Sequence, residues 1–104
     1  MIKIIALVRR NEDLTHDEFV AYWQGHHSRL VAQLPGLRRY IQNPALDLPG
    51  RERPYDGCAE LWYDDIDAVR AAAHSPESER VREDEPNFVR TIDWFLATEH
   101  PIIP

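Results

Sequence analysis

One cysteine, Cys58, occurs in 104 residues. A lone thiol closes no internal disulfide, so nothing in the composition calls for an oxidising compartment. Glycine is also scarce, at four, and the chain has no glycine-rich phosphate loop, no G-x-S-x-G elbow and no redox cysteine pair. Positive charge is in deficit: 12 Lys and Arg stand against 18 Asp and Glu, a formal net charge of −6. An acidic chain without a basic block repels phosphate backbones, which argues against nucleic-acid binding. No apolar run approaches the roughly 20 residues that span a bilayer. The start of the chain, with Lys3 inside a short apolar run closed by Arg9-Arg10, lacks the longer apolar stretch and small-residue cleavage site of a secretory signal. These absences predict a cytoplasmic protein with no nucleic-acid or membrane partner and no anchored cofactor.

What the chain has is apolar surface. Hydrophobic residues make up 43% and three are Trp, within a length that suits one domain over residues 1–104. A chain this short buries a smaller share of its surface than a large one. The excess therefore has to be placed somewhere.

Ile2 to Val8 is apolar at both parities, as in a central strand covered on both faces. Thr15-His16-Asp17-Glu18 reads as a capping box, with Leu14 and Phe19 at the hydrophobic-staple positions. The helix it opens is expected to run from His16 to about Leu34, where Pro35-Gly36 ends it, with Phe19, Trp23, Leu30, Val31 and Leu34 as its apolar stripe. Leu37–Asn43 and Cys58–Tyr63 read as strands, joined by a proline-bearing loop, Pro44–Pro54, long enough to act as a lid over a pocket. Asp64-Asp65 can cap a helix over Ile66–His74. Ser75-Pro76 opens another helical piece, charged almost all round from Glu77 to Glu85 and expected to be solvated. Thr91–Glu99 reads as the last strand, and the apolar pair Ile102-Ile103 in the tail needs a partner.

The order strand, helix, strand, strand, helix, strand is the ferredoxin-like β-α-β-β-α-β pattern, an α+β fold with a four-stranded antiparallel sheet. Both helices cover one sheet face and leave the other bare. A bare apolar face of several hundred Å² is a partner surface, and two-fold pairing is its commonest solution. The expectation is a homodimer closed sheet to sheet, a homodimeric α+β barrel.

At 100° per residue the helical stripe defines an inward direction. His27 falls within about 25° of it and His26 about 75° away. A buried imidazole needs both a donor and an acceptor satisfied, and it titrates near neutrality. His27 is therefore either a core histidine or a general base lining a pocket. Adjacent helical histidines diverge, and His16, His74 and His100 show no ligand spacing, so no metal is expected. Tyr40, in the second strand, can bury its ring and offer its hydroxyl to an oxyanion. Glu60, between Ala59 and Leu61 and sharing a face with Cys58 and Trp62, is either solvent-facing or partnered, and is a candidate pocket residue. Asp93 is a weaker case of the same kind. Trp23 and Trp62 would supply apolar walls. Cys58 reads as small filler.

The run Phe19, Tyr22-Trp23, His27, Leu34-Pro35-Gly36-Leu37-Arg38-Arg39-Tyr40 and Asn43, followed by Tyr55-Asp56-Gly57, Ala59 to Asp64, Asp84-Glu85 and Asn87-Phe88, resembles the EthD family of the dimeric α+β barrel superfamily. The resemblance covers nearly the whole chain. It implies a homodimer with a pocket between each sheet and its own helices, and roles in degradation of small organic compounds or in aromatic or polyketide metabolism. In isomerase-like relatives the helix-one histidine and the strand-two tyrosine line the pocket; here those positions are His27 and Tyr40. This chain departs from the family in three places. Arg29 stands where Pro is frequent, which predicts a straighter first helix and a positive charge near the pocket mouth. His26 is an additional histidine and a second candidate for the working one. Cys58 is offset from the reactive cysteine of some isomerase-like relatives.

The function expected is a small cofactor-free acid–base enzyme of isomerase, cyclase or lyase type acting on an apolar oxygenated ring compound. His27 would shuttle the proton, Tyr40 would donate to the oxyanion, and Trp23, Glu60 and Trp62 would bind substrate. The alternatives are a cofactor-independent oxygenase and a non-catalytic ligand-binding accessory protein.

Overall fold

The computed structural model describes residues 1–104. The first strand, β1, covers Ile2–Arg10, two residues beyond the apolar run. Both arginines are held there. The Arg9 guanidinium lies 4.2 Å from the Tyr55 ring centroid and donates to the Pro54 carbonyl, and the Arg10 amide donates to the Asp56 carboxylate at 2.8 Å.

The capping box forms as the sequence predicts. The Thr15 hydroxyl accepts from the Glu18 amide at 3.1 Å, and the Glu18 carboxylate accepts from the Thr15 amide at 2.9 Å, starting α1, His16–Tyr22. The expected unbroken helix to Leu34 does not follow. A π turn occupies Trp23–His27, and a short α2 resumes at Ser28–Val31. The cause is local. Gly25 weakens helical preference at the centre of the turn. The Ser28 amide donates to Trp23 instead of Gln24, and the Ser28 hydroxyl takes up the released Gln24 carbonyl at 2.6 Å. A widened turn stabilised by side-chain back-bonding is the result. Arg29, two residues past the π turn, is exposed.

The remaining elements are β2 (Arg39–Pro44), β3 (Gly57–Tyr63), α3 (Ile66–Ala73), α4 (Pro76–Asp84), a 3-10 turn (Glu85–Asn87) and β4 (Val89–Ala97). Asp65 and Ser75 cap α3 and α4. The sheet order is β2-β3-β1-β4, antiparallel throughout: the expected α+β, ferredoxin-like fold. Pro44 ends an edge strand, where a missing amide is tolerated.

Register decides which residues face the helices. Ala6 pairs with Ala59 and Trp94, Ile4 with Leu61 and Leu96, and Tyr40 with Leu61. That parity looks inward. Lys3, Ile5, Leu7, Ile41, Cys58, Glu60, Trp62, Asp93 and Phe95 have the other parity and lie on the outer face. The core is small: Val8, Phe19, Trp23, Ala59 and Phe88. Gly57 belongs to it by what it lacks, since a Cβ there would stand 2.6 Å from the Trp23 ring.

Two expectations are corrected here. The fully solvated α4 is wrong: Ser78 and Asp84 are buried, and Val81 faces the space between helices and sheet. The Pro44–Pro54 loop is no lid. It turns at Gly50 and lines a separate depression with Leu7, Asn43 and Cys58, on the outer side. Hydrogen bonds hold it there: Ala45 to Asp56, and His16, which lies between the Asp56 carboxylate (2.8 Å) and the Ala45 carbonyl (3.0 Å). No helix is long and apolar enough to cross a membrane.

Candidate functional site

Between the helices and the inner sheet face lies a cavity of about 500 Å³. Its lining is mostly apolar. Trp23, His27 and Val31 come from the first helical segment, Tyr40, Leu61 and Tyr63 from the sheet, and Ser78, Arg82 and Glu85 from the α4 side. A mainly apolar cleft with a few converging polar groups is the usual form of a small-molecule site.

The π turn carries His27 inward, 6% exposed, and leaves His26 on the surface. His27 packs on the Phe88 ring at 4.5 Å between centroids. Its Nδ1 is 2.9 Å from Asp84 Oδ2. Asp84 is itself buried, and it also accepts from the Tyr22 hydroxyl at 2.6 Å and from Asn87 Nδ2 at 3.2 Å. Burial works to raise the Asp84 carboxyl, but these donors outweigh it and hold it below the ordinary carboxylate range. An ionised Asp84 can only accept, so Nδ1 of His27 carries the ring proton and Nε2 carries the lone pair. Nε2 has no protein partner, yet no buried side-chain nitrogen or oxygen is left unpartnered and shielded. The free nitrogen therefore opens to the cavity that His27 lines. Burial lowers the His27 pKa and Asp84 counteracts only part of that, so the imidazole is neutral at neutral pH. A neutral ring with an oriented tautomer and an open lone pair is equipped to take a proton.

Tyr40 stands on the inner face. Its hydroxyl oxygen accepts from Gln42 Nε2 at 2.7 Å, and the same nitrogen donates to the Trp23 carbonyl at 2.9 Å. Gln42 thus ties the tyrosine to the π turn. Burial pushes the Tyr40 pKa up to about 12, which keeps the phenol protonated. With its lone pairs engaged by Gln42, the proton is the part left to offer. Glu85 lines the same cavity, and burial pushes its carboxyl above the ordinary range.

Of the residues singled out from sequence, Trp23, His27 and Tyr40 meet in this cavity. Glu60 and Trp62 do not. Glu60 pairs with Lys3 at 2.8 Å and accepts from Asn43 at 3.2 Å on the outer face, where the Lys3 hydrogen bond holds its carboxyl low. Trp62 lies beneath Lys3 and Arg39, and its indole donates to Glu99 at 2.9 Å. Both shared the parity of Cys58, and that parity faces away from the helices. Asp93, on the same outer side, accepts from Tyr55 at 3.1 Å. Burial raises the Cys58 thiol, which suits filler and not a nucleophile. Asp84 is the functional residue that sequence reasoning missed, hidden in a run of charges. No three His, Cys, Asp or Glu side chains gather as a metal site.

The EthD domain profile matches residues 11–92, a stretch that holds His27, Tyr40 and Asp84. The chain belongs to the EthD family. No sequence among the curated proteins matches it. An EthD (ethyl tert-butyl ether D) family protein from Bacillus halodurans superposes with a TM-score of 0.82 at 24% identity, covering 96% of this chain and 99% of that one. A dimeric ferredoxin-like protein of unknown function from Thermobifida fusca gives a TM-score of 0.72 at 24% identity, over 94% and 90%. SnoaB, a cofactor-independent oxygenase from Streptomyces nogalater, gives 0.62 at 19% identity, over 99% and 96%. At these identities the likeness is one of fold. The EthD assignment rests on the profile.

Proposed function

We propose that this EthD protein is an acid–base enzyme acting on an apolar, oxygenated ring compound, with His27 as the proton shuttle and Tyr40 as the oxyanion donor. The observation that carries the reading is the His27–Asp84 contact at 2.9 Å in a histidine that lines the cavity and whose opposite ring nitrogen has no protein partner. Nε2 takes a proton from the carbon beside a carbonyl, the electron pair moves onto the carbonyl oxygen, and the Tyr40 hydroxyl donates to the enolate. The imidazolium, stabilised by Asp84, returns the proton to the same or a conjugated carbon. No electrons leave the substrate. In an apolar cavity both polar contacts are worth more than in water.

The test uses 2-tetralone, an apolar ring ketone, in D₂O, with deuterium entry at the α carbon read by NMR. The wild-type protein should catalyse exchange, and His27→Gln should lose about 10²-fold or more, whereas the exposed His26→Gln should retain most of it. Equal exchange by wild type and His27→Gln rejects the role. The likeness to SnoaB supports a second reading, in which the same carbanion reacts with O₂. Oxygen uptake separates the two, because isomerisation and cyclisation consume none. Retained ligand with neither exchange nor uptake would mark a binding protein instead.

We also propose a homodimer closed through the outer sheet face, which carries Ile5, Leu7, Ile41 and the half-exposed Phe95. The dimeric Thermobifida fusca protein supports this assembly.

A further inference from the structure

Tyr63 is not used by the chemistry just described. It ends β3 on the inner face, two residues beyond Leu61, the cross-strand partner of Tyr40. It is 2% exposed, among the most buried side chains in the protein. Buried tyrosines usually find a hydrogen-bond partner for the hydroxyl, yet Tyr63 has none within the protein. No side-chain oxygen is both shielded and unpartnered, so the little surface Tyr63 keeps includes its hydroxyl. The space it faces is the cavity it lines. A phenol with no protein partner thus belongs to a side chain lining a mainly apolar chamber, with both its proton and its lone pairs uncommitted.

Register also places it along the cavity. Phe88, on which His27 packs, clusters with Trp23, Ala59 and Val8. Tyr40 stands opposite Leu61, one same-face step further on, and Tyr63 follows by another step. Each step is about 7 Å. The floor therefore carries two tyrosines, at successive same-face steps along the sheet from the Ala59 position.

We propose that Tyr63 is a ligand-binding residue that hydrogen-bonds a second oxygen of the substrate, so that the cavity selects elongated apolar molecules oxygenated at both ends. The proposal deepens the acid–base reading by naming a substrate class for the same cavity. A ligand oxygenated at one end only would leave the Tyr63 hydroxyl buried and unpaired, which is the strongest basis a pocket has for discrimination.

The experiment compares 2-naphthol with 2,6-dihydroxynaphthalene, whose oxygens sit at opposite ends of the ring system, by calorimetric titration of the intact protein. Wild type should bind the diol about tenfold more tightly, the scale of one net buried hydrogen bond. Tyr63→Phe removes only the oxygen. It should abolish that preference while leaving 2-naphthol affinity and the melting temperature near wild type. A Tyr63→Phe protein that keeps the preference, or weakens both ligands equally, overturns the proposal, as does wild type that binds neither or does not distinguish them. The readout is an affinity ratio, independent of turnover. Loss of exchange in His27→Gln with an unchanged naphthol preference in Tyr63→Phe would sustain the acid–base reading and sink this one. The opposite pattern would do the reverse.

Discussion

Asp84→Asn is the most searching single change. The amide is almost the same size as the carboxylate, so packing around Tyr22, His27, Asn87 and Phe88 is preserved. What changes is the donor inventory. The carboxylate accepts from Tyr22 at 2.6 Å, His27 at 2.9 Å and Asn87 at 3.2 Å, whereas an amide oxygen can keep the first and last of these. The amide NH₂ then faces His27 Nδ1 and can only donate. The ring responds by moving its proton to Nε2, and the lone pair that faced the cavity is gone. Long-range ¹H–¹⁵N NMR of the imidazole should report the Nδ1–H tautomer in wild type and the Nε2–H tautomer in Asp84→Asn. Exchange of 2-tetralone should fall by about 10²–10⁴-fold, the range for a positioned general base and for a misoriented one held by an acid. Stability should suffer less. The bond to His27 is reversed and the charge assistance of the contacts is lost, about 1–2 kcal/mol, and a domain of this size loses roughly 4–8 °C of Tm per kcal/mol. An Asp84→Asn protein that folds, shows the same tautomer as wild type and retains full exchange would refute the assignment of Asp84 as the orienting group.

Three further outcomes follow from the same structure. Gly57→Ala would set a Cβ 2.6 Å from the Trp23 ring; the indole must swing into the cavity, costing about 1–3 kcal/mol and weakening naphthol binding, and a variant as stable as wild type by thermal unfolding would contradict this. Acid should destabilise the protein in two stages. His27 has a folded pKa below its unfolded value of 6.5, so the unfolded state binds the extra proton as pH falls below about that value and stability begins to drop; Asp84 and Asp56, both held below 3.8, add a steeper loss at lower pH. His27→Gln should remove the first stage and leave the part of the second carried by Asp56 and by the Tyr22 and Asn87 bonds to Asp84, as read by denaturant unfolding across pH. Phe95→Lys, on the outer face, should shift the mass seen by light scattering from twice 12.2 kDa to 12.2 kDa, whereas an unchanged dimer would place the interface elsewhere.

The sequence carried the scaffold well and the site in part, for reasons that differ by residue. Thr15 and Glu18 announce a helix start because capping is local chemistry, complete within four residues. His27 could be aimed inward because helical spacing is a fixed angle, and the π turn did not undo it. Tyr40 stood out as a strand tyrosine able to bury its ring and offer its hydroxyl, and the family resemblance pointed to the same position. Glu60 and Trp62 failed for a reason intrinsic to strands: alternation says which residues share a face, not which face the helices will cover. The pairing of Tyr40 with Leu61 settles that, and it is a long-range fact. Asp84 was lost among Glu79, Arg80, Arg82, Glu83 and Glu85, because a charge run reads as solvated until a partner from another element is brought to it. Tyr22 and His27, about 60 positions away in sequence, are that partner.

The small core and the cavity are two aspects of one arrangement. Nine hydrophobic residues are buried, few for a chain that is 43% hydrophobic. In a ferredoxin-like layer the natural place for the missing core is between helices and sheet, and there the chain keeps about 500 Å³ open instead. Apolar residues that would fill a tighter protein, such as Trp94 at the β4 edge, line space. A domain built this way forgoes burial on its inner face, and on the proposed reading a ligand takes up that space. It has one other large surface on which to recover it, the outer face with Phe95 half exposed. Ligand and second subunit are then energetically related: each covers apolar area that the isolated chain leaves wet, at about 25 cal/mol per Å². Binding at the cavity should therefore raise the melting temperature by mass action, and the protein should be least stable when both the cavity and the outer face are unoccupied.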